Sequence, residues 1–262
     1  MLPSPCYVVG DTHLGVAPPD VEPALVAFLR AVPGRAGSLV LNGDIFDFWF
    51  EWRSVMPRAG FRVIAAIADI VAAGIPVTWL GGNHDCWGGE FLRGDVGVDF
   101  RLAPLVGSIG GWRAHVAHGD GLRDVEDRSY RRLQVVLRSR WAIRSFRWLH
   151  PDLASAVARA TSATSRHQGK GQTDGAGLRR VAFERLAEGT TSDLVIYGHA
   201  HEAELARAPA GGVYANHGTW LSAPTFVRIT GDAVELRRWT GSADGDRLDA
   251  LERLAEKADG LP

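Results

Sequence analysis

The sequence predicts a mixed α/β fold whose sheet is not purely parallel. Short apolar runs alternate with longer segments whose apolar residues recur at helical spacing, and hairpin signals follow towards the C-terminus. Of the 262 residues, 46% are hydrophobic and 23% are charged, so one large domain can bury a substantial core. These observations exclude a disordered, collagen-like or disulfide-stapled small protein.

The N-terminal part of the chain predicts strands that alternate with helices. Strands are expected at residues 7–9, 39–41 and 77–80, where β-branched and other apolar residues form short runs. One helix is expected from Asp20 to about residue 32. A second helix covers the periodic apolar residues of 61–71 and stops near Gly74.

The C-terminal part predicts a long helical stretch and then β-hairpins. Residues 125–188 have a mostly helical pattern, and Gly231-Asp232 is a strong signal for a two-residue hairpin turn. A last helix is expected from about Asp244 to Lys257, on the spacing of its leucines. Further strands are expected at residues 113–117, 194–197, 213–215, 225–230 and 233–239.

Charge and cysteine content limit the partners and the compartment. The net charge of −1 provides no broad basic surface, so we expect no nucleic-acid binding. Cys6 and Cys86 lie far apart and form no CxxC motif, which favours a reducing cytoplasm. We expect neither a membrane-spanning helix nor a secretion signal, because no apolar run approaches ~18 residues and the N-terminus lacks a basic segment.

Five predicted strand ends share one pattern, in which small residues are followed by a side chain that can bind a metal. Ligand sites in open α/β sheets lie beyond the carboxyl ends of the strands, so we expect these side chains to converge. Carboxylates, imidazoles and an amide without a thiolate suit Mn²⁺, Fe or Zn²⁺. The candidate metal ligands are Asp11, His13, Asp44, Asn83, His118, His199 and His201.

This ligand set predicts two ions and a hydrolytic reaction. Seven ligands exceed one tetrahedral shell, and a bridging carboxylate holds two ions roughly 3.5–4 Å apart in enzymes that cleave phosphoesters. Such a pair stabilises the phosphoryl charge and lowers the pKa of a water molecule. His84, beside the ligand Asn83, is a candidate general acid that protonates the leaving oxygen. Asp85 is a candidate to orient or charge the His84 ring.

Each motif taken alone also has a non-catalytic interpretation. Asp11 can cap a turn, and Asp44 and Asp47 can be turn residues. Packing is favoured for most of the aromatic rings in residues 46–52, and Cys86 is interpreted as a packed thiol. The histidines outside the motifs are interpreted as structural or loop residues: His115, His150 and His217. The order and completeness of all five motifs nevertheless favour a metal centre.

The five motifs resemble, in order, those of the calcineurin-like metallophosphoesterase family. This resemblance implies a four-layer αββα metallophosphoesterase sandwich. It also implies that Asp11, His13 and His201 bind one ion, that Asn83, His118 and His199 bind the other, and that Asp44 bridges them. The matching segments are Asp11-Thr-His13, Gly43-Asp44-x-x-Asp47, Gly82-Asn83-His84-Asp85, His118-Gly-Asp120 and Gly198-His199-Ala-His201.

Within that family, residues 11–15, 42–49 and 118–122 are most similar to the UDP-2,3-diacylglucosamine pyrophosphatases of lipid A synthesis. The resemblance implies an inserted helical cap of residues 123–189, which shelters acyl chains, and a catalytic domain of residues 1–122 and 190–262. It further implies substrate contacts from Asp127, Tyr130, Ser165 and Lys170. This chain has His84 where those pyrophosphatases have arginine.

The cap segment also suggests a contact with a membrane. Residues 131–149 combine six arginines with Trp141 and Trp148, and basic amphipathic segments of this kind lie on anionic membrane surfaces. The alternative is a cap helix with packed rings and solvated arginines. On this hypothesis the protein is cytoplasmic and peripheral on the inner face of the cell membrane.

The leading hypothesis is therefore a hydrolase that uses two divalent ions and acts on a UDP-diacylglucosamine-type lipid nucleotide. Mn²⁺ is the preferred ion, with Fe or Zn²⁺ as alternatives. A phosphomonoesterase or phosphodiesterase for a soluble nucleotide or a small phosphate ester is the second hypothesis. A catalytically silent scaffold with the same fold is the third. The complete ligand set argues against the scaffold, which has no need of seven ligands and His84.

Overall fold

The computed structural model describes residues 1–157, 174–188, 192–242 and 244–253. The helices are α1 (Val21–Ala31), α2 (Phe61–Ala72), α3 (Arg128–Leu137), α4 (Arg140–Phe146), α5 (151–157) and α6 (Asp174–Ala187). The strands are β1 (Cys6–Val9), β2 (Ser38–Asn42), β3 (Val77–Leu80), β4 (Asp99–Arg101), β5 (Leu105–Ile109), β6 (Trp112–Val116), β7 (Leu194–Tyr197), β8 (Ala203–Arg207), β9 (Val213–His217), β10 (Thr225–Ile229), β11 (Ala233–Arg238) and β12 (Asp246–Glu252).

The strands form two sheets, and both are mixed. The first sheet has the order β12-β11-β10-β1-β2-β3-β4, with parallel pairing from β1 to β4 and antiparallel pairing from β1 through β10 to β12. The second has the order β5-β6-β7-β9-β8, in which β6, β7 and β9 are parallel. The predicted mixed α/β fold is confirmed.

Four layers follow from the alternation of side chains along the strands. In β1, Val8 packs between the two sheets with Ile196 of β7, whereas Tyr7 faces α1 and packs on Phe28. Helices α1 and α2 cover the outer face of the first sheet. Helix α6 covers the second sheet, where Leu178 packs in one cluster with Tyr197. The αββα arrangement is therefore confirmed.

Helix α6 lies inside the range 123–189 that was expected to form the cap, yet it belongs to the sandwich because its apolar residues supply the outer layer. The described helices between β6 and α6 are α3, α4 and α5. In the described part of the chain, no helix has the length and apolar character needed to cross a membrane.

The predicted last helix is wrong where the structure describes it, because residues 246–252 form strand β12. This strand pairs with β11 along the edge of the first sheet, and Leu251 packs against the cluster between the sheets. Leucines three residues apart fit a helix, but hydrogen bonds to a partner strand outweigh that local preference.

Candidate metal centre

The loops that follow five strands meet at one edge of the sandwich. In the first sheet, the Asp11 N–H donates to the Gly43 carbonyl at 3.0 Å, which joins the loops after β1 and β2. His118 Nδ1 in the second sheet donates to the Asn42 carbonyl at 2.9 Å in the first. The Gly198 N–H donates to the His118 carbonyl at 2.8 Å. The predicted convergence of strand ends is present.

Five of the candidate ligands have a left-handed backbone. Within the described ranges, every non-glycine residue with positive φ belongs to this set: Asp11 (49°), His13 (45°), Asp44 (52°), His199 (64°) and His201 (60°). Such conformations are unfavourable for residues with a Cβ and occur where the surrounding structure imposes them, often at functional sites. The backbone strain therefore marks the same positions that the sequence motifs mark.

One group of candidate ligands consists of Asp11, His13 and His201, whose ligand atoms lie within 4.8 Å of one another. His201 Nε2 is 3.3 Å from Asp11 Oδ1 and 3.0 Å from His13 Nε2. His13 Nε2 is 3.8 Å from Asp11 Oδ1. These atoms surround a common point, as the ligands of a single ion do.

A second group consists of Asp44, His118 and His199, again with ligand atoms within 4.8 Å. His118 Nε2 lies 3.3 Å from Asp44 Oδ2 and 3.2 Å from Asn83 Oδ1. Asp44 Oδ2 is also 3.8 Å from His13 Nε2, an atom of the first group. The Asp44 carboxylate thus belongs to the second group and also approaches the first, as a bridging ligand does.

The donor atoms fit bound cations. Asp11 Oδ1 is buried and has no hydrogen-bond partner, which is costly unless another group satisfies it. Because His118 Nδ1 donates to a backbone carbonyl, its Nε2 is the nitrogen that faces the site. Nitrogen and oxygen donors without a thiolate suit Mn²⁺, Fe or Zn²⁺. The seven residues can therefore hold two divalent ions.

Glycine residues let the ligands approach the backbone. A Cβ on Gly82 would collide with the Asp44 carboxylate and would lie 2.8 Å from the Asp44 backbone nitrogen. On Gly198, a Cβ would lie 2.7 Å from Asp11 Oδ2. The glycines that precede Asn83 and His199 in the sequence are therefore required for space.

The ionisation states of the candidate ligands Asp44 and His118 favour the binding of cations. Burial raises the pKa of Asp44, but the neighbouring charges of His118 and His84 outweigh it and hold this pKa well below its usual value. For His118, burial lowers the pKa, yet the Asp44 charge raises it well above the usual value. The carboxylate is thus ionised, and a bound cation would displace the imidazole proton.

His84 lies beside both groups, and Asp47 orients it. The His84 ring Nδ1 donates to the Asp47 carbonyl at 2.9 Å and is 3.6 Å from Asp47 Oδ1. Asp47 Oδ1 is also 3.7 Å from His13 Nδ1. In the sequence, Asp47 belongs to the second motif, with a turn residue as the alternative interpretation, and no role beside His84 was predicted for it.

Asp85 faces away from the role expected for it. Its carboxylate accepts hydrogen bonds from the backbone N–H groups of Gly82 (2.7 Å), Asp44 (3.1 Å) and Ile45 (2.9 Å), and from Trp79 Nε1 (3.3 Å). Burial, with the Asp44 charge, raises its pKa to about 6. Asp85 therefore joins the loops after β2 and β3. The carboxylate that lies near the His84 ring is that of Asp47.

The expected substrate contacts are paired within the protein where the structure describes them. Asp127 is buried and forms an ion pair with Arg123 at 2.6 Å. The Tyr130 hydroxyl donates to Asp120 Oδ2 at 2.7 Å. Ser165 and Lys170 lie outside the described residues.

The remaining histidines and Cys86 occupy varied surroundings. His217 is fully buried, with Nε2 3.7 Å from Asp11 Oδ2, so it lies directly behind a candidate ligand. His115 is buried on β6, and His150 is exposed. Burial raises the pKa of the Cys86 thiol to about 12, which agrees with the prediction of a packed, unreactive cysteine.

Comparison with protein families identifies the family of the chain. Residues 4–203 match the calcineurin-like phosphoesterase family, so most of the chain is covered. The chain therefore belongs to the calcineurin-like phosphoesterase family. It is a metal-dependent hydrolase of phosphoric esters or anhydrides.

Similar curated proteins share one name. UDP-2,3-diacylglucosamine hydrolase of Porphyromonas gingivalis is 28% identical over 218 residues, which cover 76% of this chain and 83% of that protein. The protein of the same name from Sodalis glossinidius is 25% identical over 233 residues, covering 88% and 97%.

Solved structures that resemble this chain are more distant. A single mutant of Vps29 from Entamoeba histolytica has 16% identity and a TM-score of 0.45, with 95% of this chain and 99% of that one covered. A novel archaeal phosphodiesterase has 14% identity and a TM-score of 0.44, with 86% and 92% covered.

Proposed function

We propose that this protein hydrolyses the pyrophosphate bond of UDP-2,3-diacylglucosamine or a closely similar lipid nucleotide, with two divalent ions, preferably Mn²⁺. The observation that carries the hydrolytic part is the pair of ligand groups on either side of the Asp44 carboxylate. Asp11, His13 and His201 would hold one ion. Asn83, His118 and His199 would hold the other.

The chemistry divides between the ions and the chain. Two bound cations would stabilise the phosphoryl charge and lower the pKa of water. The Asp47 carbonyl holds Nδ1 of His84, so the ring presents Nε2 as the nitrogen that protonates the leaving oxygen. The His84 backbone N–H donates to Asp44 Oδ1 at 2.9 Å and so steadies the bridging carboxylate.

The lipid part of the proposal is supported by an apolar cavity of about 280 Å³ beneath the cap. Phe48, Phe50 and Trp87 line it from the sandwich, and Leu137 and Phe146 line it from α3 and α4. Phe48 follows Asp47 directly in the chain, so the cavity adjoins the loop that holds His84. An apolar wall of this kind suits a hydrocarbon chain.

The hydrolytic proposal is tested with the purified protein, Mn²⁺ and an aryl phosphodiester. We expect hydrolysis that disappears on chelation and in Asp44→Ala. The matched control is Asp124→Ala, which removes a carboxylate that is 91% exposed and leaves the ligands intact. Full activity of Asp44→Ala, or of the chelated protein, would contradict the proposal.

The lipid proposal is tested by comparing UDP-2,3-diacylglucosamine with its deacylated analogue. We expect release of UMP from both, and a higher kcat/KM for the acylated compound because its chains enter the apolar cavity. Phe146→Ser, which makes the cavity wall polar, should reduce this preference. Equal turnover of the two compounds would reject acyl recognition.

A second candidate function is the hydrolysis of a phosphoester in a soluble nucleotide. His84 favours it, since an alkoxide leaving group needs a proton more than a nucleotide phosphate does. Faster turnover of a nucleotide ester than of the lipid nucleotide would decide for this candidate.

We also propose that the cap contacts an anionic membrane surface on the cytoplasmic side. Residues 128–149 contain no acidic residue. Trp141 and Trp148 are 81% and 88% exposed, and Arg140, Arg144 and Arg147 line a hollow of about 630 Å³ beside them. Aromatic rings and basic side chains together suit the headgroup region of an anionic bilayer.

Vesicle sedimentation tests this contact. We expect binding to phosphatidylglycerol vesicles but not to phosphatidylcholine vesicles, and a loss of about tenfold or more in Arg144→Gln/Arg147→Gln. The control Arg179→Gln/Arg180→Gln removes two arginines that are paired with Glu204 and Glu126, and it should bind as the wild type does. Equal binding to both kinds of vesicle would refute the contact.

A further inference from the structure

The Asp120 carboxylate lies in the loop after β6, two residues beyond the candidate ligand His118. Its side chain is only 7% exposed. One oxygen, Oδ2, accepts hydrogen bonds from Tyr130 Oη (2.7 Å), Gln134 Nε2 (2.7 Å) and Arg138 Nη2 (3.0 Å). All three donors belong to α3 or to the residue that directly follows it. A single carboxylate of the catalytic sandwich thus accepts hydrogen bonds from three polar side chains along one face of the first cap helix.

Within the described residues, the other contacts of helix α3 are few or weakly buried. None of its residues is buried, and Val135 and Val136 are 73% and 59% exposed. A helix that buries so little apolar surface gains little from the hydrophobic effect, so its polar contacts carry more of its stability. Beyond Asp120, the Leu137 carbonyl accepts a hydrogen bond from Trp87 Nε1 at 3.0 Å.

Arg138 also lies near a second loop of the site. Its positive charge lowers the pKa of the Cys86 thiol against the larger effect of burial, and Cys86 follows Asp85 in the loop after β3. Removal of one partner from a largely buried ion pair leaves the other charge unsatisfied and is strongly destabilising. The Arg131–Asp124 pair joins α3 to the loop that carries Asp120, but it is exposed, and exposed pairs contribute little.

We propose that Asp120 is a positioning residue that holds α3 over the metal centre, and that it thereby determines how well the enzyme uses a substrate that must contact the cap. It does not take part in the bond cleavage itself. The dependence on substrate rests on the proposed lipid-nucleotide function. The attachment of α3 stands independently of any substrate.

Hydrogen–deuterium exchange of the full-length protein tests the attachment. Asp120→Asn keeps the size of the side chain but removes its charge, and we expect amide exchange in residues 128–137 to accelerate by at least about tenfold. Asp124→Asn is the matched control and should leave that exchange unchanged. Unchanged exchange in Asp120→Asn overturns the proposal. Arg138→Gln should show the same acceleration and serves if Asp120→Asn fails to fold.

Kinetics separate this role from general support of the metal site. In Asp120→Asn we expect the metal content and the aryl phosphodiesterase kcat/KM to stay within about threefold of the wild type. For the lipid nucleotide, KM should rise at least about tenfold, Asp120→Glu should restore part of the loss, and Asp120→Asn/Arg138→Gln should be no worse than either single variant. An equal fall for both substrates overturns the proposal. If the wild type does not cleave the lipid nucleotide, the proposed function fails, and the exchange data alone decide on Asp120.

Discussion

Replacement of His84 by glutamine isolates the chemical role of its ring. The backbone N–H of residue 84, which donates to Asp44 Oδ1 at 2.9 Å, remains in His84→Gln, so the bridging carboxylate keeps this contact. The wild-type ring points Nδ1 at the Asp47 carbonyl, which leaves Nε2 to deliver a proton. Glutamine has the same polarity but no proton to transfer at neutral pH. The variant therefore removes acid catalysis and keeps the backbone contact with the bridging carboxylate.

The size of the effect depends on the leaving group. A positioned general acid contributes about 10²- to 10⁴-fold, so a basic alkoxide should leave at least about a hundredfold more slowly in His84→Gln. A hundredfold loss corresponds to about 2.7 kcal/mol of transition-state stabilisation. A nitrophenolate leaves without protonation, and its release should slow by about threefold or less.

The assay is a series of phosphodiesters whose leaving groups increase in basicity, measured with the metal content of each sample. We expect a steeper dependence on leaving-group basicity in His84→Gln than in the wild type. His150→Gln is the matched control, because this histidine is 73% exposed and lies outside the site. A uniform loss across the series, with metal retained, would refute the role of His84 as an acid.

The other predictions concern the bridging carboxylate and the stability of the sandwich. Gly82→Ala should lower activity by about a hundredfold or more and reduce the bound metal, because its Cβ would displace Asp44; Gly34→Ala, whose Cβ meets no atom within 4 Å, should change neither. Burial, helped by a nearby arginine, lowers the pKa of His115 to about 4, so the unfolded chain takes up this proton first as the pH falls below about 6.5. The stability contributed by the neutral ring is therefore complete above that pH and is lost towards pH 4. Urea unfolding should show a smaller loss of stability between pH 7 and 5 in His115→Gln, and an identical loss would contradict the argument.

Local sequence was sufficient to find the strand ends and to bring the seven candidate ligands to one edge. Each ligand follows an apolar run and stands next to a small residue, as Asp44 follows residues 39–41 and Gly43. Because ligand sites in open α/β sheets lie beyond the carboxyl ends of the strands, these separate segments are predicted to meet even though their contacts are unknown. The structure adds the left-handed backbone at five of these positions, which no sequence pattern displays.

Contacts between distant segments were beyond the reach of sequence reasoning. Adjacency in the chain suggested that Asp85 charges His84, but Asp85 is taken up by backbone N–H groups, and Asp47 reaches the ring from another loop. Strand β12 was predicted as a helix, because its pairing with β11 depends on an edge that local spacing does not reveal. Tyr130 was expected at the substrate, and its hydroxyl instead binds Asp120.

The metal centre and the cap are buried to different extents, and this difference has a functional consequence. The ligands extend from strands that are buried between two sheets and two helical layers, so their loops open only at a high cost in free energy. Helices α3 and α4 bury none of their residues. They are held by polar contacts, such as that of Tyr130 with Asp120, and by the packing of Phe146 on Trp87, so the free energy needed to detach them is smaller. A change that loosens the cap should therefore alter substrate preference before it alters metal affinity.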